Sequence, residues 1–237
     1  MKFAVLMVIA AVLSAEVIAE RTVRVGAFTY YPAIFMDEDG GIRGFYVDVL
    51  SHIASNERWH VEYVFGTWAE GLARVRSGEV DILTSVAYSP ERAEFLSFGK
   101  EPLLTVWGEV YVITDSLIHD LFGLTGCTVA IMSNDHNGAM FSNRAAMFDL
   151  HCRYILCGSF DEVFSAVRDR KADAGVVNST FGSARRFAYG LTDAGIMLNP
   201  FYIYFASAKG RNTDVLSVLD RYLKRWKSQP DSAYKRF

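Results

Sequence analysis

Two stretches of the chain, one starting at Gly66 and the other at Gly158, spell the same supersecondary unit. The first reads Gly66-Thr67-Trp68-Ala69-Glu70-Gly71-Leu72 and continues through Val75-Arg76 to Asp81 and an apolar run. The second reads Gly158-Ser159-Phe160-Asp161-Glu162-Val163-Phe164 and continues through Val167-Arg168 to Asp173 and another apolar run. Glycine, Thr/Ser, an aromatic, Glu, Val-Arg and Asp recur in register, and each copy follows a strand-like run, at 60–65 and 152–157. A β-α-β unit used twice implies two similar lobes in one chain. Two lobes imply a cleft, and a ligand would sit there.

The first residues are expected to lie outside the fold. Lys2 supplies a basic start, residues 3–13 are apolar, and Val17-Ile18-Ala19 offers small residues for cleavage. That pattern reads as a secretory signal peptide, too short to span a bilayer. The mature protein is expected to be exported, with no later membrane-spanning segment. The remaining roughly 220 residues suffice for one large domain or two small ones. The formal charge of −3 is scattered, without the basic stripe that nucleic acid would require.

Three cysteines in an oxidising compartment leave one odd. Cys152 and Cys157 lie on one expected strand, where five residues span roughly 16 Å, too far to pair. If the strands opened by Cys127 and Cys152 are parallel neighbours, their starts lie side by side. A Cys127–Cys152 bridge is the expectation, and three unpaired thiols are the alternative. No spacing matches a zinc pattern and the histidines are dispersed, so neither metal nor cofactor is expected.

Strands are expected at 23–26, 60–65, 80–86, Thr128–Met132, Arg153–Cys157 and 172–177, and helices at 45–55, 67–76 and 134–147. Thr67-x-x-Glu70 and Ser159-x-x-Glu162 read as capping boxes, and Ser89-Pro90 as a helix start. The β runs 105–114 and 200–208 read as crossings between lobes, and 215–226 as an amphipathic C-terminal helix. The class is α/β with largely parallel sheets. Its expected plan is a signal peptide (1–19), lobe one (20–111), lobe two (112–200), then a return strand and last helix on lobe one (201–237). Two connections permit hinge closure.

Ligands in open α/β sheets bind beyond the carboxyl ends of the strands, which points to Thr84, Ser85, Tyr88, Asn178 and Ser179. Arg92 falls at the third position of a helix opened by Ser89-Pro90-Glu91, where a cation opposes the helix dipole. A bound carboxylate would reverse that sign and accept two hydrogen bonds, whereas an ion pair with Glu91, Glu94 or a nearby Asp would make the residue structural. Asp81 and Asp173 precede their strands and read as structural caps. Ser133-Asn134-Asp135-His136-Asn137-Gly138 could receive an anion at a helix start, and Asp135-His136 reads better as a helix cap than as an acid/base pair.

The segments Arg24-Val25-Gly26, Tyr31-Pro32, Gly44-Phe45-Tyr46-Val47-Asp48, Ser77-Gly78-Glu79-Val80-Asp81 and Ser89-Pro90-Glu91-Arg92 resemble the family 3 bacterial extracellular solute-binding proteins. The resemblance implies a type II periplasmic binding fold, two α/β lobes on a two-stranded hinge that close over a small polar ligand. It implies Arg92 as a carboxylate clamp, Tyr31 and Trp68 as aromatic walls, Thr84 and Ser85 as a polar floor, and Ser133 and Asn134 near an anion-binding turn. Ala87 and Asn178 depart from the pattern. They stand where amino-acid binders carry a Ser/Thr and an Asp, and Asn cannot supply the charge that an ammonium wants.

The tail 227–234 resembles that of domains serving as periplasmic inputs to sensor kinases, which implies either a transporter permease or a sensor kinase as partner. The leading expectation is binding without chemistry. The alternatives are an enzyme on the same fold, such as a cyclohexadienyl-type dehydratase, and an interaction module with a vestigial cleft.

Overall fold

The structure is a computed structural model that describes residues 20–229 together with Ser232 and Tyr234. The expected signal peptide lies outside the described residues. Lobe one opens with β1 (Arg21–Phe28), a short hairpin β2 (Phe35–Met36) and β3 (Ile42–Arg43), and helix α1 (Phe45–Glu57). It continues with β4 (Trp59–Gly66), α2 (Trp68–Ser77), β5 (Ile82–Ala87), α3 (Pro90–Phe95), β6 (Leu96–Phe98) and β7 (Leu104–Val106). Lobe two comprises β8 (Gly108–Ile113), β9 (Thr128–Met132), α4 (His136–Met147), β10 (Arg153–Cys157) and α5 (Phe160–Arg168). It ends with β11 (Ala174–Asn178), α6 (Ser179–Arg185) and β12 (Leu191–Met197), and the chain returns through β13 (Phe201–Ala208) and α7 (Thr213–Lys227).

The first sheet has the order β4-β1-β5-β13-β6, with β7 also on β13; the second has the order β10-β9-β11-β8-β12. Both are mixed rather than largely parallel. The β-α-β strands pair in parallel, but β13 runs antiparallel to β5 and β8 antiparallel to β11. The reason is connectivity: each crossing strand enters from the other lobe and so meets its sheet from the opposite end. The run 105–114 is not one strand, because β7 stays in the first sheet and β8 joins the second. The chain crosses at Trp107, so position 111/112 falls inside β8.

The two repeat copies do the same local work. Thr67 Oγ1 accepts from Glu70 N–H (3.2 Å) while the Glu70 carboxylate accepts from Thr67 N–H (2.7 Å), a complete capping box. Ser159 caps Glu162 N–H in the same way, but the Glu162 carboxylate reaches Gly158 N–H instead, so that box is incomplete. Gly78 ends α2 at φ +83°, a conformation that costs glycine least, and donates to Arg74 O and Val75 O. The paired aspartates match as well. Asp81 accepts from Arg24 N–H at 2.8 Å, and Asp173 accepts from Thr128 N–H at 2.7 Å. Each ties its own strand to the neighbouring one.

Helix α7 buries Val215, Leu216, Leu219, Tyr222, Leu223 and Trp226 against lobe one. The tail folds back over it, with Ser232 Oγ donating to Trp226 O and Tyr234 Oη donating to Leu103 O. Among the described residues no helix is long and apolar enough to cross a membrane.

Register places Arg153 beside Thr128, so Cys127 and Cys152 start adjacent strands. The expected bridge between them is not formed: all three cysteines are thiols. Cys127 Sγ points to Gly123 O and Cys152 Sγ to Leu124 O, so each thiol uses a carbonyl of the preceding turn.

Candidate functional site

The carboxyl ends of β5 and β11 face each other across the lobes. Ser85 ends up in the left-handed region at φ +61°, which turns its hydroxyl to accept from Tyr46 Oη at 3.2 Å. Such backbone strain in a side chain with a Cβ gathers at ligand sites. Trp68, the first residue of α2, is buried against Phe28 with ring centroids 5.1 Å apart. From lobe two comes Phe160, the first residue of α5, whose ring meets Tyr30 edge-on at 5.8 Å. Trp68 and Phe160 occupy the same repeat position, so the duplicated unit sets one aromatic wall from each lobe.

Arg92 is the charged centre of the cleft. It is 9% exposed, its guanidinium lies 5.6 Å from the Trp68 ring, and it donates to Ala87 O (3.0 Å) and Asn134 O (2.8 Å). Among the described residues it forms no ion pair within 4.0 Å, so the ion-pair alternative with Glu91 or Glu94 is not realised. Burial lowers its pKa, against the opposing fields of Asp135 and Glu91.

Lobe two answers with a turn of unexpected polarity. Ser133 N–H is already bonded to Cys157 O, and Asn134, at φ +58°, presents its carbonyl to lobe one. That carbonyl accepts from both Trp68 Nε1 (3.0 Å) and Arg92. The turn thus offers an acceptor where the resemblance implied anion-binding donors. Helix α4 starts two residues later than 134, with Asp135 as its cap accepting from Asn137 and Gly138 N–H. Burial pushes the Asp135 carboxyl up, opposed by those bonds and by Arg92. Asn137 Oδ1 is buried without a partner. Asn178 Oδ1 accepts from Phe181 N–H at 2.9 Å, capping α6.

A small cavity of about 20 Å³ lies between the lobes, space for one water. Of the residues singled out from sequence, Trp68, Ser85, Ala87, Arg92, Asp135, His136, Asn137 and Asn178 line it. Thr84 is buried beneath with its hydroxyl unpartnered, and Ser133 and Asn134 lie outside the cavity. Tyr31, expected as an aromatic wall, is not among the residues that line the cavity; its ring lies 5.3 Å from the Arg185 guanidinium of lobe two. Sequence reasoning missed Phe28, Met132, Phe160, Phe201 and Ile203 as lining residues, and placed Asp135, His136 and Asn137 in a turn that could receive an anion or cap a helix. Phe160 could have been found by carrying Trp68 across the repeat. Among the described residues no cluster of His, Cys, Asp and Glu could hold a metal.

His136 packs edge-on against Phe201 at 4.5 Å. Burial, then the Arg92 charge, push its imidazole from 6.5 down to about 4. The unfolded chain therefore takes up a proton that the folded protein refuses. The stability this residue contributes is complete above about pH 6.5 and is lost as pH falls toward 4. Asp135, raised by burial, contributes in the opposite sense at low pH and offsets part of the loss. Melting temperatures measured from pH 7 to 4 should fall more steeply for the wild type than for His136→Phe. Parallel curves would show that His136 is not the group responsible.

Two α/β lobes, a two-stranded crossing and a cleft lined from both sides define a type II periplasmic binding fold. The chain belongs to the bacterial extracellular solute-binding proteins, family 3, whose sequence profile matches residues 23–231. It is similar to an ancestral arginine-binding protein bound to arginine, at 23% identity and TM-score 0.81, over 92% of this chain and 97% of that one. It is also similar to a histidine kinase sensor domain with similarity to periplasmic binding proteins, at 22% identity and TM-score 0.80, over 92% and 95%. A mutant of ArgBP from T. maritima gives 22% identity and TM-score 0.79, over 89% and 91%. These likenesses carry the fold alone. No curated protein matches the chain in sequence.

Proposed function

We propose that the protein is exported to the periplasm and binds a small polar, carboxylate-bearing ligand between its lobes, with no chemistry of its own. Hinge closure over the ligand is the output, read by a transporter permease or by a sensor kinase. The supporting observation is Arg92, a cation buried in the cleft wall with carbonyls but no carboxylate within ion-pair distance among the described residues. A buried cation gains most from a charge partner that also accepts its hydrogen bonds. Ala87 brings only a methyl group to the cavity, and the Asn178 carboxamide oxygen is spent on α6. The Asn178 position favours a carboxylate without an α-ammonium group, and Ala87 leaves Arg92 to hold that carboxylate without a hydroxyl beside it.

The test is a thermal-shift panel of organic acids, amino acids and neutral polar metabolites. A carboxylate ligand should raise the melting temperature progressively, adding about 4 kcal/mol at a thousandfold excess over its Kd. Recovery of the hit unchanged after incubation is also expected. Conversion to a product would overturn the binding reading in favour of an enzyme.

A second reading has one observation behind it. The central cavity has room for only about one water, and the Asn134 carbonyl already accepts from Trp68 Nε1 and from one Arg92 N–H group. A cleft latched on itself in this way suits an interaction module, and a silent panel would favour that reading.

A further inference from the structure

The central cavity is the smaller of two spaces that meet at Arg92. A second pocket of about 380 Å³ shares Arg92, Asp135 and His136 with it and opens between α2 and α3 of lobe one and α4 of lobe two. Its volume lies in the range of small-molecule sites, which the central cavity does not approach. Leu72 from α2, Phe95 from α3, and Ala139 and Met140 from α4 supply apolar surface, while Glu91 and Asn143 bring polar groups. The pocket borders a groove of about 600 Å³ that shares Leu72, Glu91 and Phe95 and reaches Arg76, whose guanidinium sits 4.9 Å from the Phe95 ring.

We propose that the ligand's body lies in this second pocket, with its carboxylate on Arg92, and that the ligand class is an amphipathic monocarboxylate such as an aryl-alkanoic acid. The inference rests on the reading of Arg92 as a carboxylate receptor and adds where the rest of the ligand goes. Three features carry it. Arg92 uses single N–H groups toward Ala87 and Asn134, so its fork retains donors for a ligand oxygen. Apolar side chains from both lobes, Leu72 and Phe95 from one and Ala139 and Met140 from the other, stand beside it among the polar groups of Ser89, Asn134 and Asn143, so an apolar body would be gripped by each lobe and would couple binding to their closure. Glu91, carrying negative charge in the same pocket, disfavours a second carboxylate and selects a single acid group.

The experiment is calorimetric titration of the purified protein with 3-phenylpropanoate, and with acetate as the compact control. The wild type should bind 3-phenylpropanoate at least tenfold more tightly than acetate. Ala139 and Asn143 are exposed on α4, so Ala139→Trp and Asn143→Trp should fold normally, block the pocket and weaken 3-phenylpropanoate at least tenfold. Arg92→Ala should lose both acids. Full binding by both tryptophan variants with loss in Arg92→Ala would overturn the proposal and leave the Arg92 reading standing. Loss in the tryptophan variants with full binding by Arg92→Ala would overturn the reading beneath it, and the proposed ligand class with it. Equal affinity for the two acids, or none for 3-phenylpropanoate, would also overturn it.

Discussion

Replacing Arg92 with alanine is expected to weaken a carboxylate ligand by about 30-fold or more while the protein stays folded. Truncating one side of a buried, hydrogen-bonded charge pair costs roughly 2–5 kcal/mol, which corresponds to about 30- to 4,000-fold in Kd. The same change should cost the free protein little. Arg92 donates only to two carbonyls, and Asn134 O keeps its bond from Trp68 Nε1. Removing the guanidinium also removes a cation whose desolvation no nearby carboxylate offsets within ion-pair distance. Calorimetry on a ligand from the acid panel checks the first half and a melting curve the second. A Kd within threefold of wild type would contradict the assigned role, and a collapse in melting temperature would make Arg92 a structural residue.

Trp226→Ala is expected to have the largest effect on stability, about 3–5 kcal/mol. Trp226 is 3% exposed in the last turn of α7, with its ring 5.2 Å from His52 on α1 and 5.4 Å from Tyr222. Its carbonyl also receives Ser232 Oγ at 2.7 Å, so the tail is anchored on the same residue. Loss of the indole leaves a cavity between α7 and α1 that neither helix can close without shifting on the first sheet. Nothing in the cleft touches it. Denaturant unfolding should show the loss, while ligand affinity in the folded fraction should remain that of wild type. A loss below 1 kcal/mol would mean that α7 repacks freely against lobe one.

The scaffold was legible because its signals are local. Thr67, Ser89 and Ser159 each cap the helix their spacing announces, and β9 and β10 keep their expected bounds. Asp81 and Asp173 proved to be equivalent ties, as structural residues of a duplicated unit should be. What escaped detection depends on one residue's backbone or on distant partners. Gly195, at φ +71°, coincides with the irregular pairing between β12 and β8 and breaks the alternation that would have revealed that strand. Helix α6 is short and capped by Asn178, a residue that reads equally well as the end of a strand. The polarity of the 133–134 turn hangs on the left-handed Asn134, which no spacing pattern encodes. The pocket beside Arg92 joins α2, α3 and α4, elements remote from one another in the chain.

The central claim, that Arg92 receives the ligand's carboxylate, is tested most directly at the guanidinium itself. In a nitrogen-15 spectrum of the arginine Nε–H groups, the Arg92 resonance is the one missing from Arg92→Lys. Titration with the strongest-binding acid of the panel should shift that resonance over the same concentration range that raises the melting temperature. A melting temperature that rises while the Arg92 resonance stays unmoved would contradict the account.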